Sequence, residues 1–135
     1  VTSTWSEGYG LYTQGEAPMV VSYSTSPAYH LAYEDSDRYK ALYINDTAYA
    51  QIEIAGIVDG AENRGNAERF IDFILSPSFQ SEIALNQIMY PVHPDVELPE
   101  SLQELPEPGN TVALDAQRVQ ENVETWLDEW ERVMR

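Results

Sequence analysis

Trp5, Tyr9 and Tyr12 recur at i, i+4 and i+7, one face of a short helix. Ser3 or Thr4 can cap that helix and Gly15 can end it. The run APMVVSY, Ala17 to Tyr23, is rich in β-branched residues with Pro18 near its start, and it predicts a buried strand. TSPAYHLAYE then predicts a helix, with Ser26 as N-cap and Pro27 at the first helical position, where its missing N–H costs nothing. Ala41 to Ile44 reads as a short strand. Ala48 to Val58 reads as another, because Ile52, Ile54 and Gly56 alternate with Glu53 and Ala55.

The second half is more helical. Ala67, Phe70, Ile71, Ile74 and Leu75 form a helical stripe, and Ser76 with Pro77 restarts a helix. Residues 89–110 carry five of the eight prolines, so few regular hydrogen bonds are expected there. The clearest helix begins at Asp115, a plausible N-cap. Its apolar face is Val119, Val123, Trp126, Leu127, Trp130, Val133 and Met134. There are no internal repeats. Strands mixed with helices predict an α/β fold.

With 135 residues and 43% hydrophobic content, the chain is large enough for a real core. A net charge of -16 argues against a nucleic-acid partner and is compatible with a cationic small molecule, though on charge alone solubility is the better reading. A single lysine, Lys40, among seven basic residues is also what a salt-adapted source would have. Without cysteine there is neither a disulfide framework nor a thiolate metal site. No apolar run approaches the ~20 residues that span a bilayer, and the opening VTSTWSEGYG has no secretory-signal pattern. That opening reads as the middle of a longer chain.

Catalytic patterns are missing: there is no GxSxG, HExxH or Walker loop. His30 and His93 are far apart in sequence, and neither is set up as a base or metal ligand. Glu53 reads as the solvent-side member of a strand. Nine scattered tyrosines make a poor ferric site, so no metal is expected. What remains is aromatic and hydroxylated: Trp5, then Tyr23, Ser24, Thr25 and Ser26, then Tyr29. At the carboxyl end of a strand, a helix start with free N–H groups suits an anion or hydroxyl, and Trp and Tyr faces attract a cation. The plainer reading is a capped helix with core tyrosines, and residue types alone favour it.

The segments WSEGYGLYTQGEAPMVVSYSTSPAYH, YAQIEIAGIV, AERFIDFILSPSFQ, MYPV and WLDEWERVMR, in this order, resemble the periplasmic thiamine-binding proteins of bacterial ABC importers. The resemblance spans nearly the whole chain. It implies a class II periplasmic-binding-protein fold of two lobes, with this chain covering part of each. It also implies extracytoplasmic capture of thiamine or its phosphates, without catalysis or cofactor, and delivery to an ABC transporter permease. The ligand-binding positions implied are Trp5, Tyr23, Ser24, Thr25, Ser26 and Tyr29. Trp5 and Tyr29 would flank the aromatic rings, and the loop would take the hydroxyethyl or phosphate end. Alternatives are the same fold binding ferric iron, a polyamine or a phosphonate, or a thiamine-degrading enzyme whose nucleophile lies elsewhere in the protein.

Two departures accompany the resemblance. Ile88 stands where the family has a cleft tryptophan before MYP, and family chains are much longer. The resemblance implies that residues 1–50 form part of the second lobe with the ligand loop. Residues 51–58 would form a crossover hinge strand, and 59–135 a helical portion completing the first lobe. The missing N-terminal half of the same protein is therefore an expected partner, since half-lobes leave sheet edges and apolar faces uncovered. The isolated 135-residue chain is expected to self-associate or unfold. Size-exclusion chromatography returning a well-folded monomer would overturn that.

Overall fold

The computed structural model describes residues 2–134. Val1 and Arg135, at the outer ends of the expected lobe segments, lie outside the described residues. The first helix, α1, is Trp5–Gln14. Thr4 is its N-cap, with its hydroxyl accepting the Glu7 N–H at 3.2 Å. The Glu7 carboxylate reaches back to the Ser3 N–H at 2.9 Å. These two bonds satisfy backbone donors that a helix start leaves open. Gly15 ends the helix at φ 81, a left-handed position that glycine adopts without strain, and Leu11 O accepts the Glu16 N–H at 2.9 Å.

Helix α2 is Ser26–Glu34. Its N-cap is Thr25 rather than the expected Ser26, and no side chain caps it. The reason is a tight turn just before it: the Tyr23 carbonyl accepts the Ser26 N–H at 3.1 Å, which brings Ser26 into the helix one residue early. Helices α3 (Arg64–Ile74) and α4 (Pro77–Glu82) follow, the second capped by Ser76 with Pro77 in its first turn, as the sequence implied. A π-turn over Ile83–Gln87 continues α4, and a four-residue α5, Glu100–Gln103, interrupts the proline-rich stretch. The last helix, α6, is Ala116–Met134, and the Asp115 carboxylate accepts the Arg118 N–H at 2.9 Å at its start.

The strand expectations need correction. Only β1 (Thr47–Tyr49) and β2 (Asn110–Val112) are strands among the described residues, and they pair with each other. Ala17 to Tyr23 and Ala41 to Tyr43 form none, and of Ala48 to Val58 only the first two residues belong to β1. Their side-chain pattern is strand-like, but a strand exists only where its N–H and C=O groups meet a neighbour's. Val21 and Ile54 are each 89% exposed, so the alternation marks faces with nothing packed on them here.

The chain divides into two compact units. One combines the chain up to Ser22 with the chain from Val112 and contains α1 and α6. Within it, the Trp5 indole N–H donates to Val21 O at 2.9 Å, fastening the segment after α1 back onto that helix. No residue of α6 is buried, and Leu127, Trp130 and Val133 on its apolar face are exposed.

The other unit is Tyr23–Thr111. Its core is small: Ala28 of α2, Ala84 and Ile88 around the π-turn, and Leu102 of α5, with Leu98 and Leu105 against them. Gln80 is buried, and both ends of its amide are bonded, the nitrogen donating to Ile74 O at 2.7 Å and the oxygen accepting the Val92 N–H at 2.8 Å. Ile88 holds a left-handed φ of 51, strained for a β-branched residue, and its burial in the core offsets that strain.

A second strained point forms a latch. Asn45 and Asp46 are both left-handed, at φ 53 and 54, the residue types that bear this with least strain. That geometry aims the Asp46 carboxylate at the Gly109 N–H, 2.9 Å away, while the Tyr43 hydroxyl donates to Pro106 O at 2.8 Å. A Cβ at residue 109 would collide with the Asp46 carboxylate. Gly109→Ala is therefore expected to break the latch and lower stability by about 1 kcal/mol, what one such hydrogen bond contributes. The same substitution in an Asp46→Ala background should cost much less, and urea denaturation of the four proteins in the cycle checks this.

Tyr90 lies near this latch. Its phenol is pushed above its ordinary value of 10.0, first by burial and then by Tyr43 and Glu107. Above pH ~10 the unfolded chain releases this proton while the folded chain keeps it, so stability falls as pH rises towards the folded-state value. Tyr90→Phe should flatten that alkaline loss and leave neutral-pH stability nearly unchanged, as read from thermal melts at pH 7 and above pH 10.

Candidate functional site

The tight turn from Tyr23 into α2 concentrates five of the six expected site residues. Ser24, Thr25 and Ser26 are half-buried, whereas Tyr23 and Tyr29 are 63% and 47% exposed. Small hydroxylated residues allow the turn, Pro27 fixes the backbone of the first helical turn, and Ala28 seats the helix in the core. The result is a half-buried hydroxylated turn with an exposed tyrosine on either side.

One part of the expected chemistry is altered. The N–H groups at the helix start were read as open to an anion, but the Ser26 N–H is bonded to Tyr23 O and the Ala28 N–H to Thr25 O at 3.0 Å. Pro27 has none. The polar character of this turn therefore rests on hydroxyls more than on backbone donors.

The aromatic part extends further than the sequence reading reached. Tyr29 packs against Tyr33 with ring centroids 5.1 Å apart, and Tyr33 donates its hydroxyl to Leu85 O at 2.9 Å. The signal was available, since Tyr29 and Tyr33 stand at i and i+4 on one helix. Tyr33 also lines an open cavity of about 380 Å³ with Glu82, Leu85, Asn86 and Ile88. Ile88, where the resemblance leads one to expect a tryptophan, turns mostly into the core and is 8% exposed.

Trp5 lies in the other unit, 52% exposed at the start of α1. Its ring is 4.8 Å from Tyr9, which is 5.9 Å from Tyr12, so the aromatic face expected for α1 is present. With its indole N–H committed to Val21 O, the ring is fixed in orientation and presents a face rather than a donor.

The remaining candidates are structural. His30 is 1% exposed, with Nδ1 2.6 Å from the Glu34 carboxylate. His93 is half-buried and accepts the Asp95 N–H at Nδ1. Glu53 is exposed but not, as expected, on the solvent side of a strand, since no strand forms there and Ile52 and Ile54 are exposed as well. Among the described residues no group of three or more His, Cys, Asp or Glu could hold a metal ion, and no helix is long and apolar enough to cross a membrane.

The sequence and fold match those of known proteins. The family model for bacterial extracellular solute-binding proteins matches residues 1–110. The thiamine-binding periplasmic protein of Salmonella typhimurium strain LT2 is 40% identical over 134 residues, 99% of this chain and 41% of that protein. The protein of the same name from Brucella abortus is 42% identical over 131 residues, 96% of this chain and 39% of that protein. A solved structure of a periplasmic thiamin binding protein superposes with a TM-score of 0.87 at 37% identity, covering 97% of this chain and 41% of that chain. The chain thus spans about two fifths of the length of the relatives it matches. The α/β, class II two-lobe binding-protein fold expected from the sequence is the fold it shares with them. On its own sequence and fold, the chain belongs to the bacterial extracellular solute-binding proteins.

Proposed function

We propose that this chain is part of an extracytoplasmic protein, periplasmic in a two-membrane cell, that captures thiamine without transforming it and hands it to an ABC transporter permease. The observation that carries this reading is the turn at Tyr23 to Tyr29: half-buried hydroxyl residues, an exposed tyrosine on either side, and relatives of about 40% identity that bear thiamine in their names. The thiazolium ring of thiamine is a cation, and each aromatic face it meets contributes roughly 0.5–2 kcal/mol. A net charge of -16 attracts that cation over a distance. Tyr23, Ser24, Thr25, Ser26 and Tyr29 are the proposed contacts on one unit, and Trp5 is a separate candidate on the other. Assignment of residues 1–50 to the second lobe, 51–58 to a crossover hinge and 59–135 to the completion of the first lobe belongs to the same proposal.

The occupied N–H groups at the start of α2 and the acidic charge both favour the hydroxyethyl end of free thiamine over a phosphate at this turn. Titration of the natural-length protein with thiamine should quench tryptophan fluorescence. Tyr29→Ala and Trp5→Ala should each weaken binding by about tenfold, in line with loss of one aromatic contact. Thiamine diphosphate should bind less tightly than thiamine. Neither quenching nor binding heat at millimolar thiamine would end this reading.

A further inference from the structure

Beneath the candidate site sits a buried polar side chain that the capture of a ligand does not itself use. His30 follows Tyr29 on α2, and its ring is 1% exposed. Three groups touch it directly, and a fourth, Arg38, stands behind one of them. The Glu34 carboxylate, one helical turn on, lies 2.6 Å from Nδ1. An ionised carboxylate only accepts, so Nδ1 carries the proton. Tyr39 stacks on the imidazole at 3.8 Å with the planes 28° apart, and the Arg38 guanidinium stands 5.1 Å from the Tyr39 ring centre. Tyr29 meets the imidazole edge to face, with centroids 5.5 Å apart and planes at 84°.

These contacts form a chain that ends at the exposed Tyr29 ring. Glu34 fixes the rotation of the imidazole, Tyr39 stacks on it, and the imidazole and the Tyr33 ring both contact the Tyr29 ring. A tyrosine that is 47% exposed would otherwise sample its rotamers freely and lose that freedom when a ligand binds. We propose that His30 is a positioning residue: anchored by Glu34, it holds the Tyr29 ring in its ligand-ready orientation. This rests on the thiamine-capture reading for its ligand, but not for its geometry.

The test acts on Glu34, whose side chain is 47% exposed, so that the buried ring is left in place. In the natural-length protein, Glu34→Ala removes the anchor, whereas Glu34→Gln keeps an oxygen that accepts from Nδ1. Both remove the same negative charge. Glu34→Ala should raise the thiamine dissociation constant by about fivefold, the worth of one side-chain hydrogen bond, with Glu34→Gln within about twofold of the unsubstituted protein. In ligand-free protein, Tyr29 ring proton shifts should move in Glu34→Ala and return in Glu34→Gln, and long-range proton–nitrogen correlation should report His30 protonated at Nδ1.

Equal weakening by both substitutions would assign the effect to charge and overturn the proposal. Unmoved Tyr29 shifts in Glu34→Ala would overturn it as well. If thiamine fails to bind the unsubstituted protein while the Tyr29 and His30 signals behave as described, the positioning role stands and the thiamine reading falls.

Discussion

The burial of one face of α2 is the constraint on which the unit from Tyr23 to Thr111 depends. Ala28 is wholly buried and His30 nearly so, and α2 packs on α5, whose Leu102 is the largest apolar side chain taken fully out of water. Small residues at that contact let the two helices approach closely, and the π-turn with Ile88 closes the core beside them. Few other apolar groups are buried, so this contact sets which way the faces of α2 point, and therefore which side chains remain outside.

The candidate site follows from that seating. With Ala28 and His30 inward, Tyr29 and Tyr33 project outward on the neighbouring face, one turn apart and in ring contact. The turn that precedes α2 uses the Ser26 N–H internally, and the Ala28 N–H is bonded to Thr25 O, so the hydroxyl residues become its main polar feature. Two tyrosines in tilted ring contact on a core-seated helix present aromatic surface with little rotamer freedom left to lose.

Elsewhere the fold relies on local hydrogen bonds. The Asp46–Gly109 latch joins segments far apart in sequence, and the Gln80 amide ties α4 to Ile74 and to Val92. Such bonds are directional, so they hold a proline-rich connection in register where a ladder of strands is not available.

Helix boundaries were legible in the sequence because caps act locally. Thr4, Gly15, Ser76 and Asp115 each meet a group within a few residues, and each was readable as a start or a stop. Ser26 was misread by one residue because a preceding turn, not its own hydroxyl, sets the start of α2. The strand-like runs at Ala17 and Ala48 were legible as patterns only, since pairing needs a distant neighbour that periodicity cannot name. In the same way the sequence alone determined that Tyr23 to Ser26 and Tyr29 stand together, for they are contiguous. Tertiary structure decided that His30 is buried, that it packs with Glu34 and Tyr39, and that Ile88 turns inward, because burial is set by what packs against a face and not by the residues on it.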